Sequence, residues 1–316
     1  MSKDQYPKLV AVIPAYNLDE SIIVLIDKLV LVVSHIILVD DKCPKNVGAF
    51  VEKNYKDPRV QVVYNPRNLG VGGAVKNGYR TALGLSADII IKVDGDGQMD
   101  PSEIPNLVAP IIANQADYTK GNRFYTLKSL KVMPRKRLFG NSVLGIMNKF
   151  STGYWNISDP NNGFTAISSD ALVDLDLDEI SDSYFFESDM LFRLYCNRAV
   201  VRDVPMMSIY GNERSSLSIT RVTFEFFFKH IRNAIKRFFY SYILRDASVA
   251  TLELPLGISL LTFGMTFSLM NWSQSGSTGI PSSPGTVMLS GMTILSGTQF
   301  ILAFIAHDVS NIPKKS

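Results

Sequence analysis

Cysteine is nearly absent: Cys43 and Cys196 are the two in a chain of 316 residues. They lie far apart, so no disulfide framework and no zinc-type spacing is present, and a reducing compartment is expected for the soluble part. Histidine is as scarce. His35, His230 and His307 are scattered, which argues against a histidine metal site. No GxGxxG follows the first predicted strand, and no GxxxxGK(S/T) occurs; the glycine-rich NLGVGGA (68–74) comes only after the third. Dinucleotide-dependent oxidoreductases and P-loop nucleotidases therefore lose ground. The opening MSKDQYPKLV has no apolar core, so no signal peptide is expected there. Charge is low at 19%, with a net +3. Six basic and two acidic residues fall between Arg221 and Ala250, so the excess is local. A nucleic-acid partner is not expected from that distribution.

Apolar residues are plentiful. The hydrophobic share is 46% and mean hydropathy is +0.11, which suits a globular portion joined to a few membrane spans. Leu254–Trp272 runs 19 residues without a charge and Thr286–Ala306 runs 21. At ~1.5 Å per residue each covers roughly 30 Å, the thickness of a hydrocarbon core. A pair of buried core helices is the competing reading. The connecting SQSGSTGIPSSPG is uncharged, whereas basic residues flank the outer ends, with Lys314 and Lys315 after the second run. The positive-inside rule then puts both termini and the large N-terminal region in the cytoplasm. Self-association through the spans is a further expectation. The NWS at 271–273 matches a glycosylation acceptor but hugs the membrane and reads as chance.

The short stretch KVDGDGQMDP (92–101) carries the chemistry. It follows the apolar, β-branched ADIII, so Asp94 and Asp96 fall at the C-terminal end of a buried strand, where open α/β sheets bind ligands. A solvated turn is one reading. A calcium loop is another, but with Asp94 as its first position the fifth is Gln98 and the twelfth is Pro105, where a glutamate is wanted. The third reading is a divalent cation held with a diphosphate. Since no loop here cradles phosphate, a metal would have to neutralise it, which favours the third.

Around this stretch, residues 8 to about 120 alternate strand and helix: KLVAVIPAY, then DESIIVLIDKLVLVV; HIILVDD, then GAFVEKNYK; RVQVVYN, then VGGAVKNGYRTALGLS; ADIIIKVDGDG, then PSEIPNLVAPIIANQ and ADYTKGNRF. That order predicts an α/β fold with a Rossmann-like, mostly parallel sheet. Each strand ends in polar residues: Tyr16 and Asn17, Asp40 and Asp41, Asn65, then Asp94 and Asp96. In a parallel sheet these ends share one edge. The set reads as a nucleotide site, with Asp40 and Asp41 placed for base and ribose; a helix N-cap is the alternative for Asp41.

Together, VIPAYNLDESI, ILVDDKCP, NPRNLGVGGAVKNGY and VDGDGQMDP resemble the family 2 glycosyltransferases of the GT-A fold, and among them the polyprenyl-phosphate (dolichol-phosphate-type) enzymes. The resemblance covers about residues 8–220, and SDPNNGFTAIS, YFFESDMLFRLY and VVRDVPMMSIYGNERSS fit it. The C-terminal spans resemble those of bacterial members, which points to a prokaryotic plasma membrane. The QxxRW motif of processive synthases is missing. The resemblance implies an inverting transfer of one sugar from a GDP- or UDP-sugar to polyprenyl phosphate. Another membrane lipid as acceptor, or a non-catalytic scaffold, are the alternatives. Asp94 and Asp96 would form the DxD motif for Mg2+ or Mn2+, with Asp96 ahead of Asp94 as the direct ligand. Pro14, Tyr16, Glu20, Asp40 and Asp41 would line the nucleotide pocket. Gln98 and Asp189 would lie near the sugar, Asp189 either as base, as sugar-orienting group or as a structural cap.

Two anionic substrates have to be held together. Arg123, the basic segment 127–137 with Arg135 and Arg137, and Arg214 are the candidates. The segment reads either as a solvated loop or as a surface for lipid phosphates. Phe224, Phe228, Ile231, Ile235, Phe238 and Tyr242 recur at helical spacing, with Lys229, Arg232, Lys236 and Arg237 on other faces. They predict an amphipathic helix lying on the bilayer. The expected organisation is a cytoplasmic domain over 1–220, this segment over 221–248 and a two-span hairpin over 249–310.

Overall fold

Four short, β-branched strands build the first half of a sheet: β1 (Leu9–Ala15), β2 (His35–Asp40), β3 (Val60–Tyr64) and β4 (Ile89–Lys92). Between them run α1 (Ile22–Leu29), α2 (Val47–Asn54) and α3 (Gly70–Gly84). The structure, a computed structural model, describes residues 6–125, 135–206 and 219–315, with backbone alone at 135–139, 141 and 219–224. Periodicity explains the helices. In α1, Ile22, Leu25, Ile26 and Leu29 fall on one face and are buried against the sheet. After β4 a 3-10 turn, Pro101–Glu103, is capped by Asp100, which accepts from the Ser102 amide, and leads into α4 (Ile104–Ile112). Then come β5 (Tyr118–Asn122), α5 (Arg135–Thr152), β6 (Thr165–Ser168), α6 (Ser169–Val173), α7 (Phe186–Cys196) and β7 (Val201–Pro205).

Among the described residues the strand order is β3-β2-β1-β4-β6-β5-β7. The pairs β1–β2, β1–β4, β2–β3 and β5–β7 are parallel, as the strand–helix alternation predicts. β6 is the exception. It lies antiparallel between β4 and β5, with Thr165 opposite both Lys92 and Lys120. Chain direction makes this useful: β6 starts at the edge where β4 and β5 finish. The loop 158–164 therefore returns to the ligand edge of the sheet.

Two compact units divide the chain, residues 1–234 with 313–316, and residues 235–312. The first takes in most of α8 (Ile219–Phe238) and so reaches beyond position 220. The cause is a buried face: Phe226, His230 and Asn233 are 8%, 3% and 1% exposed. His230 Nδ1 lies 2.7 Å from Ser151 Oγ on α5, and Asn233 donates to Asp189 on α7 at 2.8 Å. The second unit holds a π-helical turn, Phe239–Arg245, and two long helices, α9 (Ala250–Thr278) and α10 (Pro284–Ser310).

Both long helices are long and apolar enough to cross a membrane, with mean hydropathies of 1.4 and 1.6. Only 11% and 17% of their apolar windows are buried, which a core helix of a soluble protein would not show. They run longer than the expected 254–272 and 286–306. Gly279, with φ 69°, stops α9, and Ser283 caps α10 by accepting from the Thr286 amide. Glycine lets the pair pack closely: a Cβ on Gly297 would lie 2.6 Å from Leu261 N and 2.9 Å from Gly257 O. At the far end of α10, Asp308 is fully buried and takes both Arg237 guanidinium nitrogens, at 2.7 and 2.9 Å, and the Tyr242 hydroxyl.

Candidate functional site

The sheet edge that ends β1, β2, β4 and β5 collects the polar residues expected there. Pro14 is half-buried at the end of β1, Tyr16 is 52% exposed just beyond it, and Glu20 is exposed. Asp40 and Asp41 behave differently from an open pair. Asp40 is 3% exposed, and its two oxygens accept from the Cys43 and Gly48 amides at 2.7 and 2.8 Å. Asp41 is 2% exposed and accepts from Asn65 Nδ2 and the Leu69 amide on one oxygen and from the Gly70 amide on the other. It thus caps the start of α3 from a neighbouring strand, rather than the α2 helix that follows it in sequence. Both carboxylates fix loops at the mouth of the edge, an architectural task that their types and positions in the sequence do not distinguish from ligand contact.

At the end of β4 the two aspartates part company. Asp96 is exposed and accepts from the Gln98 amide at 3.0 Å, which tightens the turn at Gly97 (φ 72°) and leaves Gln98 half-buried beside it. Asp94 is braced. Its Oδ1 lies 2.6 Å from Lys92 Nζ. On the Oδ2 side the backbone of Gly163 presses so close that a Cβ there would stand 2.1 Å away. Lys92 is 1% exposed and also meets Glu187 Oε1 at 3.1 Å and Gly163 O at 3.3 Å. Burial works to lower the Lys92 pKa, but Asp94 and Glu187 outweigh it and leave it raised.

A second buried lysine sits one strand along. Lys120 of β5 is fully buried and donates to Asn162 O. Its pKa is lowered to about 8, chiefly by burial, against the upward pull of Glu187 and Asp159. Arg123 grips Asp159 with Nε at 2.7 Å and Nη2 at 2.9 Å. Asp203 of β7 accepts from the Ser158 amide at 2.8 Å, and burial raises its pKa to about 6. Lys92, Lys120, Arg123 and Asp203 therefore all hold the loop 158–164 onto the edge. Arg123, expected near the substrates, lies on this edge paired with Asp159.

The first turn of α7 supplies two acids that face different ways. Glu187 points to Lys92. Asp189 is 1% exposed and accepts from the Ser181 amide and from Asn233, both at 2.8 Å, so it ties α7 to α8. Arg135 and Arg137 open α5, but their side chains lie outside the described residues, as does Arg214 altogether. On α8, Phe228, Ile231 and Ile235 are exposed as expected, joined by Phe227. Tyr242 is instead fully buried. The four basic residues are not equivalent: Lys229 pairs with Glu225 and donates to Ser183 Oγ, and Arg237 is buried on Asp308. Arg232 and Lys236 face outward.

Sequence reasoning missed Lys92, Lys120, Asp159 and Glu187. A signal existed: a charged residue closes the fully buried run IIIK, and a buried lysine demands carboxylates nearby. Among the described residues no group of three or more histidine, cysteine or acidic side chains is arranged to hold a metal. Asp96, with Asp94, is the carboxylate pair that could.

A model of the glycosyl transferase family 2 matches residues 10–176. The chain is 30% identical over 216 residues to the UDP-N-acetylglucosamine–dolichyl-phosphate N-acetylglucosaminyltransferase of Methanococcus voltae, covering 63% of this chain and 84% of that protein. It is also 30% identical over 190 residues to the undecaprenyl-phosphate mannosyltransferase of Micrococcus luteus, covering 59% and 77%. Glucosyl-3-phosphoglycerate synthase from Mycobacterium tuberculosis, solved with Mn2+, uridine diphosphate and its product, shares the fold at a TM-score of 0.53 and 18% identity, covering 73% of this chain and 80% of that one.

Proposed function

Because the chain belongs to glycosyl transferase family 2, we propose that it moves a single sugar from a nucleotide sugar to a polyprenyl phosphate at the cytoplasmic face of a membrane. The observation that carries this reading is the exposed Asp96 beside a braced Asp94 at the C-terminal edge of β4, in a chain that also has two membrane-length helices. Relatives named for dolichyl- and undecaprenyl-phosphate transfer support the acceptor class.

The donor set suits a hard divalent cation. Two carboxylates and no third acidic or imidazole ligand make a partial shell, which diphosphate oxygens and water would complete. Mg2+ or Mn2+ held there by Asp96 and Asp94 would supply Lewis-acid stabilisation of the leaving nucleoside diphosphate. The other tasks belong to the chain. Asp40 and Asp41 set the loops around the nucleotide, with Pro14, Tyr16 and Glu20 beside it, and Gln98 lies next to Asp96 on the sugar side. An acceptor phosphate is already ionised at neutral pH, about −1.5 to −2. Its oxygen forms the new bond to the anomeric carbon as the bond to the diphosphate breaks, and the electron pair leaves with the diphosphate. No proton has to be removed. That is consistent with an Asp189 committed to Ser181 and Asn233. Attack opposite the leaving group inverts the anomeric centre. Arg135, Arg137 and Arg214 remain candidates for the acceptor phosphate.

The test is an incubation of membranes containing the full chain with labelled GDP- and UDP-sugars, polyprenyl phosphate and Mg2+ or Mn2+. The expected product is a labelled lipid that releases its sugar in mild acid. An acid-stable lipid would point to a different acceptor. No transfer from any donor, with the protein intact, would favour a scaffold.

A further inference from the structure

Lys92 is the one buried cation in direct contact with the DGDG stretch among the described residues, and it needs an account. A lysine with a 1% exposed side chain stands between two carboxylates, Asp94 at 2.6 Å and Glu187 at 3.1 Å. Glu187 comes from the first turn of α7, where an acid also gains from the helix dipole. The Gly163 backbone lies against the same carboxylate and the same lysine: a Cβ there would stand 2.1 Å from Asp94 Oδ2 and 2.5 Å from Lys92 Nζ.

We propose that Lys92 and Glu187 are positioning residues for the cation site: Glu187 anchors Lys92, and Lys92 fixes the direction in which Asp94 points. The inference rests on the reading of Asp94 and Asp96 as cation ligands. Charge explains why two residues are needed. Lys92 alone would cancel Asp94 and leave Asp96 as the single net negative charge facing a dication. With Glu187 the trio carries −1, and these three side chains with Asp96 carry −2, so that Lys92 does not leave the aspartate pair short of negative charge for a divalent ion. Geometry gives the second reason. The carboxylate of Asp94 can turn about its side-chain torsions in an isolated turn, but here Oδ1 is tethered to Lys92 and the Gly163 backbone stands against Oδ2. A rigid, pre-aimed ligand loses less freedom when the ion binds.

The experiment measures Mn2+ binding to the full-length protein in detergent by electron paramagnetic resonance, with UDP and with GDP, alongside thermal unfolding. Glu187→Gln is expected to weaken Mn2+·nucleotide binding roughly tenfold, since one nearby unit charge is lost, while a folded state is kept. Glu187→Asp retains the charge but draws it back from Lys92, and a loss of about threefold is expected by the same reasoning. It serves as the test if the glutamine variant does not fold. A residue that acts on the fold alone would lower the unfolding temperature without moving the Mn2+ dissociation constant of the folded fraction. Wild-type Mn2+ affinity in either folded variant overturns the proposal. Asp96→Asn separates the two levels: if it weakens Mn2+ while Glu187→Gln does not, the brace is wrong and the cation reading stands. If none of the three variants weakens Mn2+, both fall.

Discussion

Two aspartates one residue apart sit in different settings: Asp96 is exposed, and Asp94 is held by Lys92. Asp96→Asn should keep the fold and lose nearly all transfer; removing one contact that stabilises developing anionic charge costs roughly 3–4 kcal/mol. Transfer within threefold of wild type, measured with labelled donor, would remove Asp96 from the ligand set. His230 offers a test of the residue scale away from the edge. It is 3% exposed, its Nδ1 is 2.7 Å from Ser151 Oγ, and the rings of Phe185 and Phe226 flank it. Burial lowers its pKa to about 4. Between that value and about 6.5 the unfolded chain binds the proton and the folded chain does not, so this contribution is complete above 6.5 and is lost as pH falls. The size is at most about 3.5 kcal/mol at ~1.4 kcal/mol per unit. Asp203, raised to about 6 by burial, acts in the opposite sense as pH falls through that value. The difference between His230→Asn and wild type cancels Asp203, so unfolding at pH 8 and pH 5 should show the variant losing less stability on acidification. Equal losses in both would contradict the burial argument. At this scale the position of Asp94 and Asp96, just past the end of β4, was legible in the sequence, since an apolar β-branched run precedes them. Lys92 and Glu187 were not, because they lie 95 positions apart and only the sheet brings them together.

Elements were read more surely than their pairing. The four strands from KLVAVIPAY to ADIIIKVDGDG and the helices between them follow from period and β-branching, but two ends were overrun: β4 stops at Lys92 rather than Gly97 and α1 at Leu29 rather than Val33. β6 was hidden for a physical reason: TAIS is four residues long, and nothing local in it says that it enters between β4 and β5 in the antiparallel sense. Likewise, α8 reads as a surface amphipathic helix until its other face is seen, where His230 and Asn233 satisfy partners on α5 and α7. Asn233 and Asp189 are each 1% exposed. Asn233→Leu leaves a buried carboxylate one donor short, which should cost about 1–3 kcal/mol or more for a charged group. Pairing it with Asp189→Leu removes the stranded charge and should return part of the loss. Unfolding temperatures of both single variants and the double variant check this. A double variant that is the simple sum of the singles would mean that the two side chains do not act as a pair.

For the whole molecule the question is how the reaction edge would be served by the lipid-borne acceptor proposed for it, and α8 is where the two requirements would meet. One face of α8 belongs to the sheet unit through Phe226, His230 and Asn233. Its exposed face carries Phe227, Phe228, Ile231 and Ile235, an apolar stripe with Arg232 and Lys236 beside it, in a chain that continues into two membrane-length helices. A stripe of that kind is suited to the lipid headgroup boundary. The structure narrows the electrostatic part to two residues. Lys229 is held by Glu225 at 2.7 Å, and replacing Arg237 would strand Asp308, a buried charge, and so damage the fold rather than the docking. Arg232→Gln with Lys236→Gln should therefore raise KM for a long-chain lipid acceptor and leave KM for the nucleotide sugar unchanged. Near an anionic surface each basic residue contributes about 1 kcal/mol, so the pair corresponds to roughly thirtyfold at low salt. The effect should shrink as salt rises, because exposed charges are screened over ~8–10 Å near physiological ionic strength. A soluble, short-chain acceptor does not depend on the surface to concentrate it, and its KM should stay near wild type. The measurement is KM for both acceptors at two salt concentrations. An equal rise for both would mean that Arg232 and Lys236 act on the reaction edge or on the fold, and the bilayer would have no part in their effect.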